Sequence, residues 1–91
     1  MRTPAAFFAV AALATPSFAS SDDAWEDFRH EVAAACTALV QDRGEVAVEV
    51  NPFGSESYGA AIVTLTSDAG SDRMICVFDK ETRQAELTAP F

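Results

Sequence analysis

The chain has 91 residues, 49% of them hydrophobic, with fourteen acidic and six basic side chains and a formal net charge of −8. That length is enough for one domain. The acidic surplus repels phosphate backbones and anionic lipid head groups, which argues against nucleic acid and against an anionic membrane surface as partners.

The first nineteen residues read as a cleavable export signal. Arg2 supplies a positive start, residues 5–14 form an apolar run, and Thr15-Pro16 breaks it. Ser17-Phe18-Ala19 then places small residues where a signal peptidase needs them, so cleavage is expected between Ala19 and Ser20. The apolar run is far shorter than the ~20 residues that span a bilayer. No cysteine stands immediately after the cut to take a lipid, and no twin arginine precedes it. The expected destination is the periplasm of a Gram-negative bacterium or the medium outside, with no membrane attachment after cleavage. Residues 20–91 then form a single mature domain with five basic and fourteen acidic side chains. At that size one hydrophobic core is marginal. The charge serves solubility or attracts a basic partner.

Asp23 followed by Glu26 resembles a capping box, and acidic residues suit a first helical turn. Trp25, Phe28, Val32, Cys36 and Leu39 recur at spacings of three and four, with Ala35 and Val40 beside them. This apolar stripe predicts an amphipathic helix over 23–43, closed by Gly44. After Gly44 the period changes to two. Glu45-Val46-Ala47-Val48-Glu49-Val50 alternates acid or alanine with valine and reads as a strand. Residues 51–57 are turn-rich, 58–66 form a second strand, 67–72 a turn, 73–79 a third strand and 83–88 a fourth, leaving a loose tail.

One helix followed by four short strands predicts an α+β fold of two layers, with the helix across one face of an antiparallel meander. Two cysteines remain after cleavage, Cys36 and Cys76, and an oxidising compartment makes such a pair a structural bridge. In the chain-entropy view, closing a loop of about 40 residues stabilises the fold by about 4 kcal/mol. The bridge also orients the third strand. Cys76 must face the helix, Met74 and Phe78 face it too, and Ile75 and Val77 point away. Either Ile62 or Val63 of the neighbouring strand must join them on the outer face.

That outer row is the first candidate contact site, since apolar side chains on an open sheet face mark a place for a partner or a second copy. Phe53 and Tyr58, at the longest loop, are the second. Exposed edge strands offer a third route, once the edges are known. Catalysis finds little support: His30 is the one histidine, on a polar helix face, and Ser55, Ser57 and Ser71 sit in turns where serine is expected for backbone reasons. Asp68, Asp72 and Asp79 lack the spacing of a calcium loop, and no phosphate-binding glycine motif occurs. No cofactor and no metal site is expected.

The layout of a helix on an antiparallel meander resembles that of cystatin-type inhibitors. Their Gln-x-Val-x-Gly reactive loop has no counterpart, since Gln41 is followed by Asp42-Arg43-Gly44. The resemblance is architectural and transfers no function. The expected function is a non-enzymatic interaction module that binds a protein partner or itself. A small-ligand or ion-binding protein and an inhibitor-like module are the alternatives.

Overall fold

A computed structural model of the chain describes residues 21–91. The expected signal peptide and its cleavage point lie outside the described residues. Helix α1 (Asp22–Ala38) is followed by β1 (Glu45–Val50), β2 (Tyr58–Ser67), β3 (Gly70–Asp79) and β4 (Ala85–Leu87). The strands pair antiparallel in the order β1-β2-β3-β4, and α1 packs on one face of that meander. The two-layer α+β architecture is the one the change of period from helical to two predicts.

The helix is shorter than its apolar stripe suggests. Ser21, in extended conformation, caps it: its Oγ accepts a hydrogen bond from the Ala24 N–H at 3.0 Å. Asp23 therefore lies inside the first turn and joins Asp22 at the positive end of the helix dipole, instead of capping. The far end comes at Ala38, not at residue 43. Leu39 N–H donates to the Cys36 carbonyl, Val40 N–H to Thr37 and Arg43 N–H to Val40. These tighter turns bring Val40 into the core, 1% exposed, and turn Leu39 out to 41%. Spacings of three and four fit both a helix and such turns, so the periodicity runs on past the true end.

The core lies between the layers. Val32, Cys36 and Val40 meet Ala61, Val63 and Leu65 of β2 and Met74, Cys76 and Phe78 of β3. Cys36 and Cys76 are joined by a disulfide across the layers, with Cα atoms 6.0 Å apart and both residues fully buried. Met74 and Phe78 face the helix beside Cys76, as the bridge requires. Gly59 of β2 sets how closely α1 approaches: a Cβ there would stand 2.9 Å from both Phe28 Cζ and Val32 Cγ2.

Two connections differ from expectation. The six-residue turn over 67–72 is a two-residue hairpin at Asp68-Ala69, with Ser67 paired to Gly70 and the ladder continuing through Thr66 and Ser71. Serine and aspartate in the last rungs look like loop residues but pair as strand, helped by a Thr66–Ser71 hydroxyl contact of 3.1 Å. β4 is trimmed to three residues, and the tail after it is not loose. Thr88 N–H donates to the Ile75 carbonyl, Thr88 Oγ1 accepts from Ile75 N–H, and Phe91 N–H donates to the Arg73 carbonyl. The Arg73 guanidinium covers the Phe91 ring at 4.8 Å.

Candidate interaction surface

Because Cys76 is tied inward, alternation turns Ile75 and Val77 to the face of the sheet that α1 does not cover. Ile62 stands directly opposite Ile75, each 38% exposed, and Ala60 stands opposite Val77 in the adjoining row. Val63 points inward and is fully buried, so Ile62 is the neighbour that completes the outer row. The ladder makes Ile62–Ile75 a non-hydrogen-bonded pair, the kind in which opposed side chains approach most closely. Glu49 of β1 lies on one side, opposite Ile62, and Glu86 of β4 on the other, opposite Val77. A shallow open depression of ≈ 380 Å³ runs from Ile75 and Ile62 past Ala60 to Pro52, with Glu49 at its rim. Tyr58 closes the far end of the face opposite Asp79, 47% exposed.

Phe53 lies elsewhere, on the helix side of the molecule. Its ring meets Trp25 edge-on at 4.9 Å, and Trp25 in turn meets Phe28 at 5.6 Å. The loop that carries it is held from within: the Asn51 carboxamide oxygen accepts from the N–H groups of Phe53 and Gly54, and Gly54 adopts φ 70°, which favours glycine. Lys80 provides the second brace. Its ammonium donates to the Phe53 and Ser55 carbonyls at 3.2 and 2.6 Å and stands over the Phe28 and Trp25 rings at 4.9 and 5.5 Å. Phe53 nevertheless stays 55% exposed. The structure thus separates the four candidate contact residues, with Ile75, Val77 and Tyr58 on the outer face and Phe53 on a buttress beside the helix. Nothing in the spacing of Lys80 announced this role, since its partners are 25 to 55 residues away in sequence.

The same pattern holds for the other cations. Arg29 Nη1 donates to the Pro52 carbonyl, Arg73 covers Phe91, and Arg83 pairs with Glu31 at 2.6 Å while also donating to the Lys80 carbonyl. Of the five basic residues described, only Arg43 lacks such a side-chain contact. Glu31 is the one acid in an ion pair among the described residues. Four of the five cations thus engage carbonyls, rings or a carboxylate, whereas most of the acids make no ion pair among the described residues.

The candidate catalytic side chains are not brought together. His30 is exposed on α1, Ser55 hydrogen-bonds the Tyr58 backbone, and Ser71 contacts Thr66. Among the described residues no group of three or more His, Cys, Asp or Glu side chains is arranged to hold a metal, and no helix is long and apolar enough to cross a membrane. Compared with protein-family models, curated proteins and solved structures, the chain finds no match.

Proposed function

We propose that this protein is an exported, non-enzymatic interaction module that takes a basic protein partner on the outer face of its sheet. The observation that carries the reading is the exposed Ile62–Ile75 pair, set between Glu49 and Glu86 on a face with no covering layer among the described residues. Apolar contact there supplies affinity, and the acidic rim selects charge and speeds encounter. The net negative charge of the chain and the acids at this rim favour a basic protein over a second copy. The disulfide and the signal-like start of the sequence favour the periplasm or the exterior as its place of work.

A photo-cross-linking residue at position 62, introduced in the native host, tests this. The expected result is one dominant adduct with a basic protein, lost on Val77→Asp and absent when the cross-linker sits at Asp27 on the helix. An adduct only between copies of the chain, or no adduct that depends on the outer face, overturns it.

A further inference from the structure

The topology leaves the sheet with two unlike edges. β4 is a three-residue strand whose tail runs on beside β3 as far as Arg73, and with Pro90 in that tail this edge offers little to pair with. β1 is six residues long and ends cleanly at Asn51-Pro52. The Asn51 N–H donates to the Ala60 carbonyl at 2.8 Å, so strict alternation directs Glu45, Ala47 and Glu49 to bond β2. The N–H and C=O groups of Val46, Val48 and Val50 therefore point to the open side. None of them has a hydrogen-bond partner among the described residues. The three valine side chains are only half-buried, whereas Leu65, Val63 and Ala61 opposite them are buried. The apolar layer between sheet and helix thus opens to solvent along this edge.

The side chains of β1 state what would fit. Toward the helix they are Val46, Val48 and Val50; toward the outer face they are Glu45, Ala47 and Glu49. A second β1 would not serve. Every antiparallel register that uses the free edge places a glutamate opposite or diagonal to a glutamate, and like charges so placed are destabilising. The same two glutamates that guard the edge against self-pairing favour lysine or arginine across from them.

We propose that the free edge of β1 accepts an extended cationic segment of the partner as a fifth, antiparallel strand. Read from its N-terminus opposite Val50, that segment has the pattern apolar–basic–apolar–any–apolar–basic. Its apolar residues extend the valine layer beneath α1, its basic residues meet Glu49 and Glu45, and its backbone satisfies Val46, Val48 and Val50. This rests on the reading of the protein as a module for a basic partner but locates a second contact, distinct from the Ile62–Ile75 row.

The test uses the oxidised protein as isolated and an acetylated, amidated peptide of sequence Thr-Val-Lys-Val-Thr-Val-Lys-Thr. Two methylated forms carry the same charge: one N-methylated at its valines, whose N–H groups would face β1, the other at its lysines, whose N–H groups would face away. The expected result is binding by the parent and the lysine-methylated form, with affinity lower by about tenfold or more for the valine-methylated form. The Val46, Val48 and Val50 amide protons should gain protection from exchange. The double variant Glu45→Lys, Glu49→Lys should lose the peptide and gain its glutamate counterpart, while Ile75→Asp leaves binding unchanged. Equal affinity for both methylated forms would mean attraction to acidic charge alone and overturns the proposal, as does absence of binding. Loss of peptide binding on Ile75→Asp would move the contact to the outer face, overturning the edge proposal while leaving the proposed function standing.

Discussion

The Lys80 ammonium stands 4.9 Å from the centre of the Phe28 ring, pinned there by two loop carbonyls. A cation placed so, with Trp25 also within reach, holds the 51–58 loop to the helix. Lys80→Met keeps most of the aliphatic stem but removes the charge and its hydrogen bonds, and should lower stability by about 1–2 kcal/mol. Trp25 is the one tryptophan in the chain, so its fluorescence in a urea titration reports both the loss and the loosening of the loop. Equal midpoints for variant and parent would mean the aromatic contacts hold the loop without the cation.

Gly59 sits where the helix comes nearest the sheet. Adding one methyl by Gly59→Ala forces Phe28 and Val32 to give way and should cost about 1–3 kcal/mol in a close-packed core. Val32→Ala in the same background should recover part of the loss, a non-additivity that a double-mutant cycle measures. Simple additivity would show that the methyl is accommodated elsewhere.

Both bridged cysteines are fully buried. Reductant under native conditions should leave the thiols unlabelled by a mass tag, with labelling appearing only as urea opens the fold. Replacing both by alanine should remove up to about 4 kcal/mol, read as a drop in urea midpoint. Rapid labelling without denaturant would show that the bridge is not enclosed.

Neighbouring positions on β3 should respond in opposite ways. Met74→Asp puts an unpaired charge into the core and should abolish cooperative unfolding. Ile75→Asp loses one cross-strand pair, worth about 0.2–1 kcal/mol, and should fold with only a slightly lower melting temperature. Calorimetry on the two variants checks this; a severe loss from Ile75→Asp would assign the outer row to stability instead of binding.

Much of the architecture was legible because two periods meet at Gly44. The valine alternation of β1 gave its bounds without error, and Cys36 on the helix stripe fixed which face of β3 turns inward. What stayed hidden depended on partners distant in sequence. Leu39 and Val40 exchanged roles because a tight turn keeps the helical spacing, and Ser67 and Gly70 to Asp72 read as loop by residue type although they pair across the hairpin around Asp68-Ala69. The outer row was readable in outline, with the choice between Ile62 and Val63 waiting on register. Neither the open edge of β1 nor the Lys80 buttress has a local signature, since both arise from strand order.

The bridge also divides the molecule into a closed ring and two free arms. Residues between Cys36 and Cys76 include β1, β2 and most of β3, and the bridge lowers the entropy this loop gains on opening. The arms are nearly all of α1, up to Ala35, and the chain from Val77 onward. They clasp each other through Phe28 with Phe78, Phe28 with Lys80, and Glu31 with Arg83. This clasp has no covalent link of its own, so native-state exchange should show the outer ends of the arms opening before the residues next to the bridge.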